Sequence, residues 1–199
     1  LGDIGKTVNV TDEPEVVGGS GGGCFRDIAE LSSEIEAGRV KHVLILGGNP
    51  AYDAPVDVDF AGKLAKLDSA IHLTEYRNET SRLCEWQLPM AHYLECWGDG
   101  RAWDGTLSIQ QPLILPIARK GAESKSPIEL IAMMLGEKAT DGYTIVRQTF
   151  GQLLPTASFE KSWRKALNEG LVEGSAFKPS NARPKPAGQL DAPRLAEEK

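Results

Sequence analysis

The residues best placed to do chemistry are Gly47, Gly48, Asn49, Pro50 and Asp53, which follow the apolar run Val43-Leu44-Ile45-Leu46. In open α/β sheets, ligands lie beyond the carboxyl ends of the strands. A glycine pair at that place has no Cβ to hold a ligand away from the backbone. Asn49 carries both a donor and an acceptor for a base or a phosphate, and Pro50 fixes the turn. Asp53 can accept from ribose hydroxyls or from the N–H groups of a guanine. The same residues also suit a tight strand-to-helix turn with no ligand, and on spacing alone that plainer reading is the stronger.

A second polar stretch, Asn78-Glu79-Thr80 through Cys84-Glu85-Trp86-Gln87-Leu88-Pro89, follows the next predicted strand. The ends of neighbouring parallel strands converge, so a second ligand contact fits there, as does a capped surface loop. Glu75, Glu79, Glu85, Glu95 and Asp99 include candidates for a general acid and base, but no partner pattern accompanies them. His42, His72 and His92 are widely separated and read as structural histidines rather than metal ligands. Cys24, Cys84 and Cys96 are too few and scattered for a disulfide scaffold, and no C-x-x-C is present. No nucleophile elbow, H-E-x-x-H or P-loop lysine appears. The glycine run Gly18 to Gly23 matches neither G-x-x-x-x-G-K-[ST] nor G-x-G-x-x-G, and reads as a flexible connector.

The elements that must position these residues form an α/β series. Phe25, Ile28, Leu31 and Ile35 lie on one face of a helix over 25–37, with Gly38 as its left-handed terminator. Residues 40–46 read as a buried parallel strand. Asp57 or Asp59 caps a helix whose stripe is Phe60, Leu64 and Leu67, and residues 70–74 form the next strand. Helix, strand, turn, helix, strand predicts a mostly parallel sheet flanked by helices, joined by a right-handed crossover. Residues 85–116 hold Trp86, Trp97 and Trp103 and read as long ordered loops with short strands, including 107–109 and 113–115. Ser126, Pro127 and Glu129 form a capping box for a helix ending at Gly136. A further helix spans 143–150 between Asp141 and Gly151, and another spans 159–168 with Gly170 just past it.

The chain has 199 residues, 41% hydrophobic and 25% charged, which excludes collagen-like, coiled-coil and wholly disordered readings. A net charge of −6 gives no global attraction to phosphate backbones, so no nucleic acid is expected as a partner. No apolar run approaches the roughly 18–20 residues of a membrane helix. The chain opens on Leu1 without a leader pattern, and is expected to be a fragment. After Phe177 the composition turns to Pro, Ala, Lys and Glu, so residues 178–199 read as a linker or tail.

The run Val43-Leu44-Ile45-Leu46-Gly47-Gly48-Asn49-Pro50-Ala51-Tyr52-Asp53-Ala54-Pro55 resembles the pterin-guanine-dinucleotide-binding turn of the molybdopterin oxidoreductase family. Leu88-Pro89 through Trp97-Gly98-Asp99 resembles the family's later L-P…E-x-x-G segment, and the likeness continues through Arg101 to Thr106 and Gln111-Pro112-Leu113. It covers roughly residues 1–177, read as one partial α/β domain. The branch it resembles most is the iron–sulfur subunit of alternative complex III, a quinol-oxidising bacterial respiratory assembly.

That resemblance implies a formate dehydrogenase/DMSO reductase-like body at the periplasmic face of the inner membrane, exported through a variant Tat signal. Its partners would be the other subunits of the complex. The 4Fe-4S clusters would sit in a domain outside these residues. In that branch the body is a scaffold that has lost its molybdopterin, so no residue here is catalytic. The alternative is an active molybdenum oxidoreductase of the polysulfide or thiosulfate reductase kind. In it Gly47, Gly48, Asn49, Pro50 and Asp53 would hold molybdopterin guanine dinucleotide, and the metal ligand would lie upstream of Leu1. A third reading, a small nucleotide-binding module, leaves residues 85–177 without purpose. On the scaffold reading, Asn49→Ala is expected to leave stability almost unchanged.

Overall fold

Three apolar segments become adjacent parallel strands because each is followed by a helix or turn that carries the chain back across one face. The computed structural model describes residues 6–11, 24–117, 123–154 and 156–180. The glycine run at 18–23 and the tail from 181 onward lie outside the described residues. Strand β1 (His42–Leu46), β2 (Ser69–Thr74) and β3 (Trp86–Pro89) form a sheet in that order, every pair parallel. Helix α1 (Cys24–Glu36) precedes β1, and Gly38 follows it with φ +70°, as the sequence predicts. Short helices α2 (Pro50–Asp53) and α3 (Phe60–Leu64) carry the chain from β1 to β2. Asp59, not Asp57, caps α3, its carboxylate accepting from the Gly62 N–H at 3.2 Å. Helix α4 (Glu79–Leu83) lies between β2 and β3. The α/β architecture with a parallel sheet is thus present.

The register explains which face of the sheet is covered. Side chains alternate between faces along a strand. Val43, Ile45 and Ala70 pack with Ile35 of α1 and with Phe60 and Leu64 of α3. Glu36 fastens these two helices, accepting from Lys63 at 2.5 Å and Lys66 at 2.6 Å. Those two ammonium groups hold its carboxyl down to about 2. On the opposite face, Leu44, Ile71 and Trp86 stand side by side in register. Trp86 there is 59% exposed and Leu46 is 41% exposed.

A second core gathers the rest of the chain. Strands β4 (Gly98–Arg101) and β5 (Leu107–Gln110) form an antiparallel ribbon. Helices α5 (Pro127–Met134), α6 (Gly142–Leu153) and α7 (Phe159–Glu169) follow. Leu107 and Ile109 pack with Val146, Phe150, Leu154, Trp163 and Ala166. Phe159 stacks on Trp163 at 6.1 Å, and Phe150 lies 5.7 Å from the same ring. The Ser126–Glu129 capping box forms as expected, and Asp141 caps α6 by accepting from the Thr144 N–H. The two halves meet where β3 runs on. Lys125 N–H donates to the Pro89 carbonyl, and Ala91 N–H donates to the Lys125 carbonyl.

Two sequence expectations need correction. Gly151 does not terminate α6, which continues to Leu153, since burying Leu154 in the second core favours one more turn over stopping at the glycine. Residues 113–115 form no strand. Leu113 and Ile114 donate from their N–H groups to the Leu94 carbonyl and bend the chain, leaving Leu113 77% and Leu115 87% exposed. Of the tryptophans in that stretch, Trp97 packs edge-on to Tyr143, whereas Trp103 is exposed.

Phe150 is fully buried at the centre of the second core. Its replacement by alanine should lower the unfolding free energy by about 3–5 kcal/mol, measured by urea denaturation.

Candidate functional site

The turn after β1 is built from two left-handed glycines. Gly47 and Gly48 both have φ +70°, a region that side chains with a Cβ adopt at a cost. Crowding is not the reason for glycine here. A Cβ at Gly47 would rest 3.7 Å from the Met90 methyl group, and one at Gly48 would rest 3.9 Å from Pro50. The Gly47 N–H donates to the Leu73 carbonyl at 2.8 Å, which keeps the turn on the end of β2. The Asn49 carbonyl then accepts from the Tyr52 and Asp53 N–H groups and starts α2, with Pro50 at its first position.

The Asn49 side chain faces the loop after β2. Its Oδ1 accepts from the Thr80 N–H at 3.1 Å and from the Thr80 hydroxyl at 2.8 Å, and its Nδ2 donates to Glu79 at 2.7 Å. Thr80 Oγ1 in turn accepts from the Ala51 N–H at 2.9 Å. Asn78 Nδ2 donates to the Gly48 carbonyl at 3.2 Å, while its Oδ1 caps α4 through the Ser81 N–H. Thr80 is fully buried, so each bond to it takes the place of water that cannot reach it. The two loops at the carboxyl edge are therefore latched by side chains of both.

His72 lies beneath this latch. It is fully buried, with Nε2 3.3 Å from the Gly47 carbonyl and Nδ1 without a partner. Burial pushes its pKa below the ordinary 6.5, opposed in part by the carbonyls of Gly47 and Gly48. The ring is thus neutral at pH 7, with Nε2 as the donor. Glu79 sits outside the latch, its carboxyl held below the usual range first by the Asn49 bond.

The five residues singled out in the sequence do not act alike. Gly47, Gly48, Asn49 and Pro50 come together in the turn, and Asp53 is an exposed residue of α2. The amide of Asn49, expected to read a base or phosphate, is engaged by Thr80 and Glu79. Within the turn, the Gly48 and Asn49 N–H groups show no acceptor among the described residues. Tested against a pterin guanine dinucleotide, this set does not fit well. An anionic diphosphate would find two backbone donors, and it would also find the Glu79 carboxylate hydrogen-bonded to the turn.

The other candidates disperse. Glu95 accepts from the His92 and Ile117 N–H groups, and burial raises the pKa of Asp99. Cys84 and Cys96 are free thiols. No His, Cys, Asp and Glu side chains group as metal ligands among the described residues. The stretch from Asn78 is not the capped loop that one of its two readings held: Asn78 caps helix α4, and Trp86–Pro89 is strand β3. What sequence reasoning missed was Thr80 as the centre of the latch. The only signal was Asn78 three residues before Ser81, an N-cap spacing. Nothing in the sequence marked His72 as buried beneath a turn twenty-five residues earlier.

No protein-family model matches the chain, and no curated protein resembles it closely enough to count as a relative.

Asn49→Ala would strand the buried Thr80, and should lower stability by about 1–3 kcal/mol in urea denaturation, not leave it unchanged. The depressed pKa of His72 means that the unfolded chain binds more protons just below pH 6.5. Its contribution is present above that pH and fades as pH falls toward the folded value. The denaturation midpoint should therefore drop between about pH 7 and pH 5 more steeply in the parent protein than in His72→Asn.

Proposed function

We propose that this chain is the molybdopterin-oxidoreductase-like scaffold of a respiratory iron–sulfur subunit, in a quinol-oxidising assembly of the alternative complex III kind. Its work is to hold the neighbouring cluster domain and to meet the other subunits at the periplasmic face of the inner membrane. Electrons pass through 4Fe-4S centres outside these residues, and no side chain here enters the chemistry. The observation that supports this reading is the latch. Asn49, the polar side chain of the glycine turn, bonds to Thr80 and Glu79 and so braces the carboxyl edge of the sheet. In such a turn the amide serves the fold and not a ligand. No helix of the described residues is long and apolar enough to cross a membrane, so attachment to one falls to partners or to other segments.

A second reading, an active molybdenum oxidoreductase, draws support from the two unpaired N–H groups of Gly48 and Asn49. Backbone donors of this sort are what a phosphate needs. Metal and pterin content separate the two. The full-length protein that carries this chain should hold far less than one molybdenum or tungsten per polypeptide by mass spectrometry, and acid oxidation should release no fluorescent pterin. Stoichiometric metal together with released pterin would reject the scaffold.

A further inference from the structure

Among the described residues His72 is the one fully buried histidine, and it stands in the central strand of the sheet. Ile45 of β1 flanks it on one side and Gln87 of β3 on the other. A neutral ring has one N–H to place, and Nε2 places it on the Gly47 carbonyl at 3.3 Å. A charged ring has two, and Nδ1 has no acceptor among the described residues. A charged donor buried without a partner is costly, so protonation must be answered by movement. The central strand does not yield, because it is hydrogen-bonded along both edges. Its cover does: the Gly47–Gly48 turn, α2 of four residues and α4 of five. Helices that short do not hold themselves, and these two depend on the bonds among Asn49, Thr80 and Ala51.

We propose that acidification releases this latch. A proton on His72 Nδ1 parts the Gly47–Gly48 turn from α4 and opens the carboxyl edge of the sheet, while the second core stays closed. The charged groups around the ring supply no rival trigger. β3 carries none, and β1 carries only His42, at its far end and 3.1 Å from Ser69 Oγ. α4, which packs on β2, carries Glu79 and Arg82, both exposed. The hydrogen bond from Asn49 holds the Glu79 carboxyl below its ordinary range, so that bond outlasts mild acid. Asp53 of α2 is exposed, and Lys63 of α3 is paired with Glu36, whose pKa is held at about 2. Burial lowers the pKa of His72, and what opposes it are the Gly47 and Gly48 carbonyls, not a charged neighbour. The exposed ring takes up its proton near the ordinary 6.5 and the buried ring only at lower pH. Release therefore begins just below pH 6.5 and grows as pH falls toward the folded value.

The test is hydrogen–deuterium exchange of the full-length protein at pH 7 and pH 5, read by mass spectrometry on peptides and corrected for the intrinsic rate at each pH. Peptides spanning 44–52 and 78–84 should exchange roughly ten- to twentyfold faster at pH 5. A peptide spanning 142–153, from α6 of the second core, should keep its protection. His72→Gln keeps a donor for the Gly47 carbonyl and cannot become charged, so its latch should exchange equally at both pH values. Glu79→Gln removes the other titrating group of the latch and should still show the acid effect. That exposed position keeps the test decisive even where circular dichroism shows that His72→Gln does not fold. Equal acceleration in all three peptides means global loosening and overturns the proposal. So does a latch as protected at pH 5 as at pH 7, an acid effect that survives in folded His72→Gln, or one that Glu79→Gln abolishes.

Discussion

One asparagine amide ties together the two loops on which the carboxyl edge of the sheet depends. Asn49 leaves β1 and reaches Thr80 beyond β2, satisfying a buried backbone N–H and a buried hydroxyl at once. Without it the Gly47–Gly48 turn would keep the Leu73, His72 and Asn78 bonds, but the buried N–H and hydroxyl of Thr80 would lose their acceptor. The cost of an unpaired buried donor exceeds the worth of most surface contacts. That asymmetry is why a residue type associated with ligand recognition is put here to architectural use.

The two cores rely on different physics. The first is thin, a three-stranded sheet with helices packed on Val43, Ile45 and Ala70, and its helices are held partly by the Glu36 ion pairs. Those pairs are solvent-exposed, so they contribute little on their own. The second is an aromatic and aliphatic cluster around Trp163 and Phe150, to which Arg147 of α6 adds an ion pair with Glu160 of α7 and a contact over the Phe159 ring. Where Pro89 and Ala91 meet Lys125, backbone hydrogen bonds join them. Strain or solvent entering at that joint would be felt by both.

Much of the fold was legible where one local rule fixed one outcome. Ser126-Pro127-Ile128-Glu129 could hardly be anything but a helix start, and the positive φ of Gly38, Gly136 and Gly170 sits where the apolar stripes end. Apolar runs mark the first two parallel strands, whereas nothing in Trp86-Gln87-Leu88-Pro89 marks β3. The failures came where distant packing outweighed a local signal. Leu154 drew α6 past Gly151, and the Leu94 carbonyl turned the apolar run at 113–115 into a bend. At the site the turn itself was visible, since glycine, asparagine and proline each have local consequences. The role of Asn49 was not, because it depends on a threonine thirty-one residues away, and no periodicity connects the two. His72 was hidden for the same reason.

The partly open side of the three-stranded sheet has a consequence for how this polypeptide lives. Parallel sheets are stable when both sides are clad, and here Leu46 and Trp86 stay exposed on the side where Leu73 is fully buried, so that among the described residues this side is only partly covered. A greasy plane of that kind limits how much of the protein stays dispersed when it is made alone. Synthesis in step with whatever clads that plane, rather than in excess of it, would then set the usable yield.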